Sequence, residues 1–232
     1  MSRPLGIVVV GAGSGFGAAL AQDLAASGHR VLAGSRRARP ANLPAPYARV
    51  DVTLAESVTR FAEEAHELLG QIDGLVYCAA DPGAVARAWE VDPQDASRVL
   101  EVSLLGLVRI AGAFVPALRQ AGRGSIVTVG SQAARTPIDL LAVYGAAKAA
   151  AEAYTRSLAQ ELHGTGVRAN VIGIAAETDL ARTHRTVKAE LRGRPSPHPP
   201  LPPVNDSLPL ARWLLTDDAR HVTGQTIEAR QP

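Results

Sequence analysis

The run Gly6-Ile-Val-Val-Val10-Gly11-Ala-Gly13-Ser-Gly15-Phe-Gly17 decides the architecture. Its first five residues are β-branched or small and apolar on both faces, the pattern of a strand buried inside a parallel sheet. Glycines follow at once, and an alanine-rich helical stretch runs over about 15–27. The order is strand, tight turn, helix. Glycines at such a turn permit positive φ and let backbone approach a pyrophosphate closely. The helix start then offers free N–H groups and the positive end of its dipole. A plain turn has no need of four glycines in seven positions. Gly11, Gly13, Ser14, Gly15, Phe16 and Gly17 are therefore a candidate phosphate cradle. Two registers fit: Gly-x-x-x-Gly-x-Gly from Gly11 and Gly-x-Gly-x-x-Ala from Gly13.

Outward from this turn the same alternation continues. Strands are expected at 30–34, 48–52, 73–78, 125–129, 168–174 and 225–229. Helices are expected at about 54–69, with Thr53 as N-cap, and at 99–121, 143–163 and 210–215. Strand and helix in turn predict a single α/β domain over 1–232, a doubly wound parallel sheet with helices on both faces. One stretch breaks the rhythm: Pro195, Pro197, Pro199, Pro200, Pro202 and Pro203 fall within nine residues. Such a run is neither helix nor central strand. It marks 179–208 as a loop that either lies on the surface or closes over a ligand. Its place after a strand end favours a lid, because ligands of open α/β sheets sit beyond the strand carboxyl ends.

Composition narrows the class. The chain has 232 residues, 47% hydrophobic and 20% charged, with a formal charge of +2. That is an ordinary globular chain, without the bulk charge that drives nucleic-acid binding. One cysteine excludes an internal disulfide framework and a CxxC metal site. Histidines 29, 66, 163, 184, 198 and 221 show no metal-ligand spacing and read as surface or satisfied side chains, so no metal is expected. Apolar runs fall short of the ~20 residues of a membrane span, and no basic leader precedes the first strand. A cytoplasmic location is the default. Of 24 cationic residues only Lys148 and Lys188 are lysines, which invites a chemical reason for each.

NAD binders place an acidic residue ~20 residues beyond the glycines, against the ribose 2′-hydroxyl. Between Asp23 and Asp51 there is no Asp or Glu, and the second strand runs into Ser35-Arg36-Arg37, with Arg39 beyond. Arginines there suit a 2′-phosphate, so NADP(H) is preferred over NAD(H). Tyr144 and Lys148 lie four apart on one helix face. A nearby ammonium is expected to lower the tyrosine pKa from ~10 and make the phenol a usable general acid/base. Ser131, at a strand end, is placed to hold a substrate carbonyl oxygen. Asp81, Gln132 and Glu177 also follow strand ends and are candidates to face substrate. Cys78 reads as a small core residue.

With these residues in hand, the chain resembles the short-chain dehydrogenase/reductase family, in its single-domain branch of ~250 residues, over essentially its whole length. Gly11, Gly15 and Gly17 match the family's TGxxxGxG turn, with Val10 in place of threonine. Asp51-Val52 matches the pair flanking the adenine. Ser131, Tyr144 and Lys148 match the catalytic serine and the YxxxK motif. Thr178 matches a threonine that contacts the nicotinamide carboxamide, and Thr223-Gly224-Gln225 the C-terminal TGQ segment. The resemblance implies a Rossmann-like fold and an NADP(H)-dependent oxidoreductase acting on a small ketone or secondary alcohol. Tyr144 would serve as acid/base, with Lys148 on the nicotinamide ribose. It also implies a homodimer or homotetramer paired through the two long helices. Three motifs depart from the family. Tyr77-Cys78-Ala79-Ala80 stands for NNAG, although Ala79 and Ala80 still fall beside the cofactor. Ser103 stands for the asparagine of the catalytic tetrad, whose proton relay it would rearrange, and Ile174-Ala175 stands for Pro-Gly. The alternatives are an enzyme of this fold doing non-redox elimination or isomerisation, or a non-catalytic NADP-binding protein.

Overall fold

The computed structural model describes residues 3–174, 176–195 and 201–229. Ala175, and Pro197, Pro199 and Pro200 of the proline run, lie outside them. Seven strands form one sheet: β1 (Gly6–Val10), β2 (Arg30–Ser35), β3 (Tyr47–Arg49), β4 (Gly74–Tyr77), β5 (Gly124–Ser131), β6 (Val167–Ile174) and β7 (Thr226–Ala229). Their order is β3-β2-β1-β4-β5-β6-β7, every pairing parallel. Helices α1 (Gly15–Ala26), α2 (Ala55–Leu69), α3 (Pro93–Leu100), α4 (Gly106–Ala121), α5 (Ala142–Glu161), α6 (Asp179–Arg192) and α7 (Leu208–Leu215) complete the chain. Two apolar clusters lie on opposite faces of the sheet. One holds Leu32, Phe61, Leu107, Phe114 and Leu158; the other holds Ile7, Phe16, Leu20, Val127 and Leu214. This is the doubly wound Rossmann-like domain expected.

The register sets the site. Val10 lies opposite both Gly34 and Tyr77, so the carboxyl ends of β1, β2 and β4 are level. The chain reverses its winding between β1 and β4, and the crevice of such a sheet opens at that point.

Several expectations need correction. Thr53 does not cap α2: the N-cap position is Leu54, and Thr53 turns back to donate its hydroxyl to Asp51 Oδ1 at 2.7 Å. The third strand is shorter than expected and begins at Tyr47. The helix expected from residue 99 begins at Pro93, with Asp92 accepting from the Gln94 amide at 2.8 Å and proline in the first turn. Between α3 and α4 the helix passes through a π-helical turn, Glu101–Leu105. The whole span Pro93–Ala121 is long and apolar enough to cross a membrane by length and composition. Here Val99, Leu107, Ile110, Phe114 and Leu118 are buried within the protein. Much of the expected lid loop is helix: α6 carries Leu180, Val187 and Leu191 on one face, a stripe that the neighbouring proline run overshadows.

Candidate active site

The glycine turn is built for close approach. Gly11 has φ +90°, and a Cβ there would lie 2.4 Å from the Ala79 amide nitrogen. A Cβ on Gly17 would lie 2.4 Å from the Gly11 carbonyl oxygen. Only hydrogen fits at either position. Ser14 is the N-cap of α1, yet its side chain caps no backbone amide and the first turn carries no acidic residue. The amides at this helix start thus face an anion-attracting field that no side chain fills. Ser14 Oγ instead accepts from Arg37 Nη1 at 3.0 Å, which carries the guanidinium to the edge of the cradle. Ser35 supports the same corner: its hydroxyl is 2.6 Å from that of Tyr47 and accepts the Arg37 amide at 3.0 Å. Arg36 is exposed, 4.0 Å from Asp51. Arg39 turns back to the Leu43 carbonyl and stands outside the site. The Phe16 side chain is buried in the core, so only its backbone is available to a ligand. Val52 is buried as well, its side chain packed under Gly106. Ala79 and Ala80 continue β4 past the turn, half-buried. Thr178 caps α6, accepting the Ala181 amide at 3.1 Å, and its methyl lies 3.6 Å from the Cβ position of Gly15. An open helix start, a glycine cradle and a guanidinium at its rim fit a dinucleotide phosphate group.

Beside the cradle, one face of α5 is anchored to β5 by polar contacts. Lys148 Nζ donates to the Val129 carbonyl at 2.8 Å, and the Thr155 hydroxyl to that of Thr128 at 2.8 Å. Buried Glu152 accepts two bonds from Arg135, at 2.6 and 2.7 Å, and Arg135 also reaches Glu228. Residues 148, 152 and 155 share one helical stripe. The Glu152 tie escaped sequence reading, although an acid four residues after Lys148 was a usable signal. At the top of this stripe the Tyr144 phenol faces the Ser131 hydroxyl, which accepts the Ala133 amide at 3.2 Å. A Cβ on Gly145 would lie 2.7 Å from the Ala133 carbonyl oxygen; that contact sets the helix start hard against the Ser131 turn.

The electrostatics differ from expectation. Burial raises the Tyr144 pKa, only partly offset by Ser131. Lys148 does not lower it, because its ammonium is held on the Val129 carbonyl and its own pKa is pulled down by burial to about 8. Burial likewise pushes Cys78, a neighbour of Lys148, up to about 12, so it stays a protonated, unreactive thiol. Ser103 sits in the π-helical turn, 2% exposed, its hydroxyl without a partner among the described residues. Tyr77 donates to the adjacent Val102 carbonyl at 2.5 Å, which explains why this departure from the family's motif is tolerated: the phenol satisfies an acceptor of the irregular turn.

Two candidate acids are structural. Asp81 binds Arg98 at 3.1 Å and the Gly83 amide at 2.9 Å. Glu177 pairs with Arg185 and accepts the Leu201 amide at 3.0 Å, while its own amide donates to the Pro202 carbonyl at 2.8 Å. That clamp ties the described end of the proline run to the base of α6. Gln132 is exposed and opens a 3-10 turn. His184, read from sequence as surface or satisfied, is neither: it is buried, edge-on to Tyr144 with ring centroids 5.4 Å apart.

Residues 6–188 match the sequence profile of the short chain dehydrogenase family. The protein belongs to that family.

This short-chain dehydrogenase is 33% identical over 190 residues to sulfoacetaldehyde reductase 2 of Chromohalobacter salexigens, covering 76% of this chain and 75% of that one. It is 26% identical over 231 residues to an NADP-dependent 3-hydroxy acid dehydrogenase of Salmonella typhimurium, covering 96% and 93%. A solved short-chain type dehydrogenase/reductase from Mycobacterium ulcerans superimposes with TM-score 0.86 at 28% identity, covering 98% of this chain and 89% of that one. The short-chain dehydrogenase is an oxidoreductase of small carbonyl or alcohol substrates that uses a nicotinamide cofactor.

Proposed function

We propose that the enzyme is an NADP(H)-dependent oxidoreductase interconverting a ketone and a secondary alcohol, with Tyr144 as general acid/base. The meeting of Tyr144 and Ser131 at the carboxyl end of β5 carries this reading. When bound, the nicotinamide supplies or accepts the hydride. Ser131 holds the substrate oxygen beside the phenol. Tyr144, kept protonated by burial, gives its proton to that oxygen in the reductive direction. Lys148, four residues on, is the candidate to hold the ribose and return charge to the phenol. Ser103, with its free hydroxyl in the π-helical turn, is the candidate for the outer step of proton supply. Preference for the 2′-phosphate is supported by Arg37 at the rim of the cradle, by exposed Arg36 and by the absence of acid between residues 23 and 51. The Salmonella relative's NADP dependence agrees. A homodimer or homotetramer is proposed through α3–α5, where Leu100, Leu105 and Val108 are exposed.

The test is NADPH consumption with a panel of ketones. The Tyr144→Phe variant is expected to fold and bind NADPH but to lose about 10³-fold in kcat. Turnover within tenfold of wild type refutes the assignment of Tyr144. Among the alternatives, non-redox chemistry would show as substrate conversion without cofactor oxidation.

A further inference from the structure

We propose that His184 is the substrate-recognition residue of this site, accepting a hydrogen bond from an O–H or N–H group that the substrate carries a few bonds from its reacting carbon. This inference rests on the reading above and names the substrate class within it: hydroxy- or amino-substituted ketones and the matching alcohols.

Four observations converge. His184 is the only buried residue of α6, a fourteen-residue helix described in full. A helix that sends one side chain inward normally sends an aliphatic one, which would pack without leaving a polar atom unsatisfied. Second, the ring stands edge-on to Tyr144 at 5.4 Å between centroids and 74° between planes, so it roofs the proposed proton donor. Third, the ring lies against the Pro82 carbonyl, in the loop after β4. Nε2 is buried with no partner among the described residues, so the nitrogen that meets Pro82 is Nδ1. Fourth, the tautomer follows from this contact. A carbonyl only accepts, so Nδ1 carries the proton. Burial, reinforced by the charge of Lys188, holds the imidazole below its ordinary pKa and therefore neutral near pH 7. Nε2 then bears a lone pair and no hydrogen. The two nitrogens of an imidazole point to opposite sides of Cε1, so Nε2 is directed away from Pro82. A buried lone pair beside the reacting centre is unfavourable until a donor meets it, and discrimination is strongest where a site leaves a polar group unpaired with the wrong substrate.

Matched ketones read this directly: hydroxyacetone against methoxyacetone, and 4-hydroxy-2-butanone against 4-methoxy-2-butanone. Methylation removes the donor and keeps the oxygen. Wild type is expected to favour the hydroxy member of at least one pair by about tenfold or more in kcat/KM. His184→Phe keeps a ring over Tyr144 and is expected to bring that ratio close to one, through KM more than kcat. Equal ratios in wild type and variant, or no preference in wild type, overturn the inference. Nitrogen-15 NMR of the histidines in wild-type protein with NADPH gives a reading independent of turnover and of variant folding. The Nδ1–H tautomer is expected at His184, with the Nε2 resonance moving on addition of the hydroxy ketone and not of its methyl ether. An Nε2–H tautomer, or no movement with either ketone, also overturns it. Turnover with an unresponsive His184 sinks this inference alone. A responsive His184 with no turnover of any ketone sinks the proposed reaction and leaves the recognition standing.

Discussion

The glycine turn at 11–17 and the segment that opens α6 meet at Gly15 and Thr178, yet different forces hold them in place. The turn is held by backbone sterics. Gly11 sits at φ +90° with the Ala79 backbone where a Cβ would be, and the strand before it is fully buried. The α6 segment is held by side-chain contacts between distant segments: Glu177 to Leu201, Arg192 to Asp139, His184 to Pro82. A wall made by local sterics tolerates almost no change and accepts any ligand with the right backbone. A wall made by scattered polar contacts can be rebuilt for a new ligand without disturbing the sheet. The proposed cofactor site therefore lies on the first wall and the proposed choice of substrate on the second.

The sharpest way to break this contrast is Gly11→Val. It places a branched side chain at positive φ against backbone, and a loss of about 3 kcal/mol or more, with no dinucleotide binding, is expected. Near-normal urea unfolding would show that the turn is not sterically fixed. Replacing Arg36 and Arg37 together by serine should weaken NADPH by about tenfold or more and leave NADH unchanged, since charged hydrogen bonds contribute about 1.5–3 kcal/mol. Equal loss for both coenzymes would assign the arginines to the fold.

Lys148 gives a smaller effect with a defined pH course. Its folded-state pKa of about 8 lies below the 10.5 of an exposed lysine. Below pH 8 both states hold the proton, and the buried ammonium is a constant cost. From pH 8 to 10.5 the folded state releases its proton first, so this cost is relieved as pH rises. Lys148→Met, though inactive, should be more stable than wild type by about 2 kcal/mol at pH 7 after the lost Val129 bond is subtracted, and the gap should close towards pH 10. A gap independent of pH would contradict the assignment. The mildest test is Thr178→Ala, which removes the α6 cap at a cost of about 1 kcal/mol. Faster amide exchange confined to α6 is expected, with β1 and α1 unmoved. Spread of the effect into α1 would mean that the two walls form one cooperative unit.

The same contrast explains what could be read in advance. Gly11, Gly15, Ser131, Tyr144 and Lys148 were legible because local pattern carries them: a buried β-branched strand, a glycine turn, a four-residue helical spacing. The start at Pro93 was also legible, since Asp92 and Pro93 form a capping pair, but the expected helix began six residues late. His184 was not legible. It stands at helical spacing from Leu180, Val187 and Leu191, but the proline run after it makes the segment read as loop, and no local signal says that this face folds against Tyr144.

The chain by itself determined the doubly wound sheet, the glycine turn, the basic second-strand end and the pairing of Ser131 with Tyr144 and Lys148, because each follows from steric and periodic rules acting over a few residues. Only the tertiary structure decided the protonation of that set. Burial raises the Tyr144 pKa instead of lowering it, and the Lys148 ammonium bonds the Val129 carbonyl. It also decided that residues 179–192 form a helix bringing His184 to Tyr144, since desolvation and long-range pairing depend on which distant segments fold over a group.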